Sequence, residues 1–319
     1  MNRFFPTLTA NMRLGWGTRM QCLRAGSILR SRMDDTQEKT IESERRKMEK
    51  QDRKVQHFQV GELKVEIHPT REAVGVAAAK AAAETLMELG RRHESIGVVF
   101  ATGASQVEFL RALVAVPGLP WPKIRGFHLD EYIGLPDDHP ASFRHYLREK
   151  LTERVRMQKF HEIDGTAQDP EQVCRNYSEA LRAANPQLCF LGIGENGHLA
   201  FNDPPVANFD DPLDMKIVAL DAVCRQQQAA EGWFSSLEQV PESAITLTIP
   251  TLFRVPRLIV PVPGSRKAHI VRRALEEPIS TNCPATLLRT HSDATIYLDR
   301  ESAAELDGVL RSTESMSRI

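Results

Sequence analysis

The sequence has no excess of one charge, no long apolar run and no paired cysteines. Its 41 basic and 42 acidic residues nearly cancel, so the chain as a whole has no field that would attract nucleic acid or anionic lipid. No apolar stretch approaches the roughly 18–20 residues that span a bilayer. The odd cysteine count argues against a disulfide framework or a zinc site and favours a reducing, cytoplasmic location. The five cysteines are scattered at Cys22, Cys174, Cys189, Cys224 and Cys283.

The N-terminal region differs in composition from the rest of the chain. Its first 33 residues contain no acidic residue and six arginines: Arg3, Arg13, Arg19, Arg24, Arg30 and Arg32. This composition can mark an organelle-targeting presequence. We favour an unstructured extension or a mis-assigned start ahead of Met33. A mixed-charge run to about residue 56 is typical of a solvated helix or a disordered linker. We therefore expect an extension over 1–56, a folded domain over 57–312 and a tail over 313–319.

From residue 57 onward, strand-like and helix-like patterns alternate. Leu63–Ile67 alternates in hydrophobicity, Arg71–Leu89 is an alanine-rich helical pattern, and Ser95–Phe100 is a continuous apolar run. This order predicts an α/β fold in a single main domain, with a mostly parallel sheet and helices on both faces. Further strands are predicted near 125–129, 159–163, 188–191, 216–220, 244–249, 257–262 and 294–298, and further helices near 107–114, 141–151, 171–184 and 266–277.

Two predicted strand–helix junctions have the composition of an anion site. Thr102-Gly103-Ala104-Ser105 follows an apolar strand pattern; its glycine allows close approach of the backbone to a ligand, and its hydroxyls can donate hydrogen bonds. Lys267 lies in the first turn of a later predicted helix, where its charge opposes the helix dipole and an anionic partner would offset that mismatch. Simpler explanations stay open, because Ser105 can serve as a helix N-cap and exposed first-turn lysines are common.

Two adjacent carboxylates, Asp130 and Glu131, follow another short strand pattern. Ligands bind parallel sheets beyond the carboxyl ends of the strands, so either group is a candidate general base. An acidic loop start without a catalytic role is the plainer alternative.

The densest group of polar residues lies between Leu191 and Pro205. Glycines, a histidine, amides and carboxylates follow a buried strand pattern here. A histidine flanked by carboxylate and amide partners can have its tautomer fixed, as a proton carrier requires. The segment also matches the dinucleotide-binding GxGxxG pattern, with Asp221 as a ribose contact, but the prolines at 204 and 205 would stop the long helix that this motif should open. The matching glycines are Gly192, Gly194 and Gly197.

Together these segments resemble the glucosamine-6-phosphate deaminase family of the sugar-phosphate isomerase and lactonase superfamily. The resemblance covers residues 60–310, and two motifs carry it: FHLDEYIGL at 127–135 and GIGENGHLAFNDP at 192–204. It implies a modified Rossmann-like α/β fold, no metal, no cofactor, and conversion of glucosamine 6-phosphate to fructose 6-phosphate and ammonia. The expected partner is therefore a phosphorylated amino sugar. A homo-oligomer is compatible with the resemblance, because family members vary in this respect.

The resemblance also implies roles for individual residues. Asp130 matches the residue that moves a proton between C2 and C1, and His198 matches the residue that opens the pyranose ring. Asn196 and Asp203 match the two residues that support that histidine. The residues that match the phosphate cradle are Thr102, Gly103, Ala104, Ser105 and Lys267.

Three departures from the family pattern are visible. Asn196 stands where some members have Asp, and Asp203 replaces the usual Glu, which shortens its reach by one methylene. No second phosphate-binding arginine is recognisable near 225–232, where the sequence reads Arg-Gln-Gln-Gln. Residues 206–216 also lack the Ser, Arg and Lys pattern of the allosteric members, so we do not expect that form of regulation.

Two competing functions remain. The family of 6-phosphogluconolactonases shares the glycine–histidine core, but it carries Asp-Glu-Arg where this chain has Asp130-Glu131-Tyr132 and a Ser-Leu-Phe run near Phe201-Asn202-Asp203. A non-catalytic sugar-phosphate sensor would need a DNA-binding helix-turn-helix, and residues 1–56 lack the apolar pattern for one. The deaminase interpretation is therefore preferred.

Overall fold

In the computed structural model, which describes residues 55–306 apart from Asp221, Glu231 and the side chain of Gln227, strands and helices alternate as predicted. The strands are β1 Gln56–Val60, β2 Leu63–His68, β3 Ile96–Phe100, β4 Ile124–His128, β5 Asp130–Tyr132, β6 Lys159–Phe160, β7 Leu188–Phe190, β8 Met215–Ala219, β9 Ser243–Leu247, β10 Arg257–Val262 and β11 Ala294–Asp299. The α-helices are α1 Arg71–Arg92, α2 Val107–Val114, α3 Phe143–Leu147, α4 Pro170–Ala184, α5 Ala222–Ala230, α6 Ile249–Phe253 and α7 Ala268–Glu276.

Eight of these strands form one sheet in the order β1-β2-β11-β10-β7-β3-β4-β6. Every neighbouring pair is parallel except β1 with β2. Parallel neighbours connected by helices place the carboxyl ends of the central strands at one edge. The prediction of a mostly parallel α/β sheet in a single main domain is confirmed.

The continuous apolar run of β3 reflects burial on both faces of the sheet. Ile96, Val98 and Phe100 pack in a hydrophobic cluster with side chains of α1 and α2, whereas Val99 packs in a second cluster with side chains of α4 and α7. Successive strand residues point to opposite faces, so a strand covered on both sides needs apolar residues at every position.

The fold differs from the sequence prediction in several places, and strands β1 and β5 and the short helix α6 were not predicted. The strands predicted near 216–220 and 244–249 do not join the main sheet; they form an antiparallel sheet in the order β5-β9-β8. The helix predicted over 141–151 is short, since α3 ends at Leu147 and a π-helical turn follows over Arg148–Thr152. Helix α5 was not predicted, because the glutamine-rich stretch has no clear apolar period.

None of the helices in the described part is long and apolar enough to cross a membrane.

The predicted extension over 1–56 and tail over 313–319 lie almost wholly outside the described residues. Within the described range, the four cysteines are buried and form no disulfide with one another.

Candidate active site

The predicted site residues follow four neighbouring strands of the main sheet. Thr102–Ser105 follows β3, Asp130 follows β4, His198 follows β7, and Lys267 follows β10; these strands are adjacent in the order β10-β7-β3-β4. All of these residues line one cleft of about 330 Å³, a size typical of small-molecule sites. The sheet therefore brings together residues that lie up to 165 positions apart in the chain, from 102 to 267.

Behind His198, the two predicted supporting residues form a hydrogen-bonded group. His198 Nδ1 lies 2.7 Å from Asp203 Oδ1, and Asn196 Nδ2 donates to the same oxygen at 2.8 Å. The backbone N–H of His198 donates to Asn196 Oδ1 at 3.0 Å. The 2.7 Å contact shows that the shorter side chain of Asp203 still reaches the imidazole directly. Asp203 is also fully buried.

Asp203 controls which nitrogen of His198 faces the cleft. Burial alone would raise the pKa of Asp203, but its hydrogen bonds to His198 and Asn196 and the nearby imidazole hold that pKa below its usual range. An ionised Asp203 accepts a hydrogen bond from Nδ1–H, which leaves Nε2 as the nitrogen able to exchange a proton with a ligand.

Two glycines of the 192–197 segment make room for side chains of the site: Gly194 for the imidazole ring and Gly197 for Cys283. A Cβ atom on Gly194 would lie 2.2–2.4 Å from three ring atoms of His198, and one on Gly197 would lie 2.7 Å from Cys283 Sγ. Gly194 N–H also donates to the His198 carbonyl at 3.0 Å. In the described residues no helix follows before β8, so the segment lacks the helix that a dinucleotide site requires.

The adjacent carboxylates Asp130 and Glu131 point in different directions. Asp130 lines the cleft, whereas Glu131 is fully buried and accepts hydrogen bonds from Ser142 Oγ and from three backbone N–H groups, those of Tyr132, Phe143 and Arg144. Glu131 thereby binds the start of α3 to β5. Only Asp130 is placed to meet a ligand.

The pKa of Asp130 is raised well above its usual range. Burial is the main cause, and the nearby carboxylates of Glu131 and Asp203 add to it. The backbone of Asp130 is held by His128, whose Nδ1 donates to the Asp130 carbonyl at 2.9 Å. Burial lowers the pKa of His128 to about 3, so this imidazole is neutral and accepts from Ile163 N–H through Nε2 at 2.8 Å.

At the other end of the cleft, the two predicted anion-binding loops have the same local structure. Each contains a glycine with positive φ, +95° at Gly103 and +100° at Gly264, followed by a short 3₁₀ helix that leads into α2 or α7. The first amides of such a helix lack intrahelical partners and can bind an anion. Asp299 holds the second loop, because both of its carboxylate oxygens accept from Gly264 N–H at 3.0 Å.

Arg71 also lines this end of the cleft, and the sequence analysis missed it. Its Nη2 donates to the carbonyl of Ala104, its Nε lies 2.9 Å from Glu108 Oε2, and its Nη1 lies 3.5 Å from where a Cβ on Gly264 would stand. The guanidinium therefore lies between the two loops. The sequence did contain an indication of Arg71, because it is a cation in the first turn of α1. The same feature is the basis for predicting Lys267 as a site residue.

The structure shows where two side chains of the 225–232 segment lie, the segment in which no second phosphate-binding arginine is recognisable. Arg225 donates to the carbonyls of Leu237 and Val240, both at 3.0 Å, and does not line the cleft. Gln228, one turn further along α5, does line it.

A cysteine lies close to the histidine–aspartate pair. His198, Asp203 and Cys224 each offer an atom that could bind a metal, and these atoms lie within 4.8 Å of one another. The contact between the imidazole and Asp203 is accounted for by a hydrogen bond from Nδ1–H to the carboxylate. The expectation that no metal takes part stays a prediction, and activity measured after exhaustive chelation tests it.

Comparisons with known proteins agree on one family. The profile of the glucosamine-6-phosphate isomerases/6-phosphogluconolactonase family matches residues 69–297. A glucosamine-6-phosphate deaminase of Pseudarthrobacter chlorophenolicus is 35% identical over 232 residues, covering 71% of this chain and 88% of that protein. One from Exiguobacterium sibiricum is 32% identical over 233 residues, covering 71% and 87%.

Solved structures give the same result for the fold. A monomeric glucosamine-6-phosphate deaminase superposes with a TM-score of 0.68 at 30% identity, covering 76% of this chain and 99% of that one. The 6-phosphogluconolactonase of Trypanosoma brucei superposes with a TM-score of 0.63 at 17% identity, covering 79% and 100%, and shares the fold.

The structure is thus an α/β protein in which one cleft is lined by a carboxyl group, an imidazole and two glycine-containing loops at strand–helix junctions. The chain belongs to the family of glucosamine-6-phosphate isomerases and 6-phosphogluconolactonases.

Proposed function

We propose that the protein converts glucosamine 6-phosphate and water to fructose 6-phosphate and ammonia. The observation that supports this most is the single cleft that holds a carboxyl group, a carboxylate-supported imidazole and two anion-binding loops. The deaminases that this chain resembles carry the same activity in their names. Solved structures named as 6-phosphogluconolactonases are 16–18% identical to it, a level that supports the fold alone.

The anion end binds the phosphate and orients the sugar. Backbone amides of the two loops, the hydroxyls of Thr102 and Ser105, and the cations Lys267 and Arg71 surround this part of the cleft. Arg71 supplies the second positive charge that the 225–232 segment lacks. Binding a group remote from the reacting carbons fixes the position of those carbons. Such positioning can lower the activation free energy by up to roughly 7–11 kcal/mol.

His198 opens the pyranose ring. Its Nε2 moves a proton from the C1 hydroxyl to the ring oxygen, so the C1–O5 bond breaks and an aldehyde forms at C1. Asp203 and Asn196 hold the ring in place and stabilise the imidazolium that forms in passing.

Asp130 then carries the proton of the isomerisation. Its carboxylate takes the proton from C2, the C2–H electron pair forms the C1–C2 double bond, and the C1 carbonyl oxygen takes a proton released by the substrate's ammonium group, which gives an enolamine. The same carboxyl then returns its proton to C1 while the nitrogen lone pair forms the C2–N double bond. C1 is thereby reduced and C2 oxidised to an imine. Water adds to C2, the C–N bond breaks, and ammonia leaves, so no external oxidant or cofactor is needed.

The test is a coupled assay on the purified full chain. We expect equal amounts of ammonia and fructose 6-phosphate from glucosamine 6-phosphate, and little hydrolysis of 6-phosphogluconolactone above its spontaneous rate. Rapid lactone hydrolysis with no ammonia release would overturn the proposal and favour the lactonase. Binding of glucosamine 6-phosphate without turnover of either compound would favour a sensor.

Three finer expectations belong to this proposal. We place the activity in the breakdown of amino sugars, including N-acetylglucosamine, in the cytoplasm; the family membership and the buried, unbridged thiols of the described residues support that place. For the oligomeric state, a homo-oligomer is compatible with the family, whereas a relative of solved structure is monomeric; light scattering on the full chain distinguishes the two.

A further inference from the structure

Gln228 is a buried amide that faces the cleft. It is 8% exposed and lines the same cleft as Asp130 and His198. Among the described residues its carboxamide makes no hydrogen bond. A carboxamide has two donor hydrogens and an acceptor oxygen. The nitrogen and oxygen of Gln228 are not among the fully buried side-chain atoms without a partner, so they reach the open cleft, where groups of a ligand can pair with them. A ligand in the cleft would satisfy them.

The position of Gln228 along α5 relates it to the reacting end of the cleft. Cys224 lies four residues earlier on the same helix, and its sulfur is within 4.8 Å of the imidazole of His198 and the carboxylate of Asp203. Residues four apart share a helix face and are separated by about 6 Å along the axis. Gln228 therefore lies about one helical turn from Cys224, the residue of this helix that is next to the imidazole.

The residues that follow Gln228 in the sequence approach the end of the cleft with the two anion-binding loops. Trp233 lines the cleft and meets Tyr146 edge to face, with ring centroids 6.4 Å apart. The hydroxyl of Tyr146 donates to the Gly103 carbonyl in the first anion-binding loop at 3.1 Å. Along the chain, Gln228 thus lies between Cys224, which is next to the imidazole, and Trp233, which is connected through Tyr146 to the first loop.

We propose that Gln228 determines specificity by hydrogen bonding the hydroxyl groups in the middle of the sugar, between its amine-bearing carbon and its phosphate. The inference rests on the proposed function, because that function places a polyhydroxylated chain between the two ends. A neutral group that both donates and accepts suits hydroxyls, whereas the charged groups at the anion end suit a phosphate. The residue reads the arrangement of these hydroxyls and so separates hexosamine phosphates that differ in it.

The test compares Gln228→Met with the wild type on glucosamine 6-phosphate and on its 3-deoxy and 4-deoxy analogues. Methionine keeps the length and helix propensity of glutamine and removes the amide. Gln226→Met is the matched control, because Gln226 is exposed on the same helix. Circular dichroism and thermal unfolding verify that each variant folds.

We expect Gln228→Met to lower kcat/KM for glucosamine 6-phosphate roughly tenfold and to change that for one deoxy analogue much less. Inhibition by inorganic phosphate should be the same in wild type and variant, and Gln226→Met should behave as wild type. An equal loss on all three sugars, or an unchanged kcat/KM, would overturn the inference. Weaker phosphate inhibition in the variant would also overturn it, because the amide would then belong to the anion end.

Calorimetric binding of the same three sugar phosphates separates this inference from the proposed function. If the wild type releases no ammonia, the proposed function fails. The hydroxyl contact is still tested, since Gln228→Met should weaken binding of the full sugar and not that of the analogue lacking the contacted hydroxyl. Equal weakening for every sugar would refute the contact.

Discussion

Burial and neighbouring carboxylates act on the ionisation of Asp130 in the same direction. Both raise its pKa, so the group stays protonated to a higher pH than an ordinary aspartate and is a stronger base once ionised. As the proposed base it must be ionised to accept the C2 proton. Activity should therefore fall on the acid side at a pH well above the ordinary range of an aspartate, a position that the pH profile of kcat/KM reports.

The variant Asp130→Asn should lose activity and gain stability at neutral pH. Without the carboxylate, kcat should fall by about 10²–10⁴-fold, and exchange of the C2 proton with solvent should stop. The folded pKa of Asp130 lies above its unfolded value, so wild-type stability falls as the pH rises from the unfolded pKa through the folded one. The variant lacks this fall.

Thermal unfolding of both proteins at pH 4 and pH 8 checks the second part of that prediction. The difference in Tm should favour the variant at pH 8 and shrink at pH 4, where the wild-type carboxyl is largely protonated. Retained C2 exchange would remove Asp130 from its proposed role, and an equal Tm difference at both pH values would contradict the burial argument.

At the scale of elements, the loop after β7 depends on the absence of a side chain at Gly194. The variant Gly194→Ala would place a methyl group 2.2–2.4 Å from the ring of His198, so the ring must turn away from Asp203. We expect kcat/KM to fall by at least about 10²-fold, the range for a displaced proton carrier, while circular dichroism shows a folded protein.

Gly118→Ala is the control for Gly194→Ala, because it adds the same methyl group to a glycine outside the cleft. Gly118 has a φ of +76° and no atom within 4 Å of the added Cβ. Its variant should therefore lose about 1–2 kcal/mol of stability from the backbone alone and keep full kcat/KM. Wild-type activity in Gly194→Ala would show that the position of the ring does not limit the reaction.

Helix α1 contributes to the anion end through its first residue. Removing the guanidinium in Arg71→Ala takes away a charged group that can donate to phosphate, and hydrogen bonds to charged groups contribute about 1.5–3 kcal/mol. We expect KM to rise by about 10–100-fold and inhibition by inorganic phosphate to weaken by a similar factor, with a smaller change in kcat.

Arg91→Ala removes the same charge from an exposed position at the other end of α1 and should leave both constants unchanged. Arg71→Lys, which keeps the charge and loses the planar fork, should fall between the two. If Arg71→Ala lowered kcat and left phosphate inhibition intact, Arg71 would act on the fold of the two loops and not on the ligand.

The elements that the sequence predicts well are those with a strong local signal. β3 is a continuous apolar run and α1 is an alanine-rich stretch capped by Thr70, so their positions follow from periodicity and capping alone. The separate antiparallel sheet depends on which strand pairs with β5, a long-range choice that no local pattern contains. The place of Gln228 in the cleft could not be predicted for a similar reason, because it depends on how α5 packs against the rest of the domain.

At the scale of the whole molecule, every residue assigned to the cleft lies between Arg71 and Glu301, and the family profile matches 69–297. The carboxyl ends of four adjacent strands supply the loops, and α1 supplies Arg71. The sequence placed these loops correctly because strand ends in a parallel sheet share an edge. The orientation of each side chain within the cleft needed the three-dimensional structure.

The proposed division of the chain follows from the same observation. Because the described range contains the complete set of proposed site residues, a protein that begins at Lys54 should fold and keep kcat/KM within about threefold of the full chain, a difference of only about 0.6 kcal/mol. Thermal unfolding and the ammonia assay on both lengths measure this. A shorter protein that folds with the same Tm and loses activity would show that residues 1–53 take part in catalysis. A lower Tm would instead assign them to the stability of the domain.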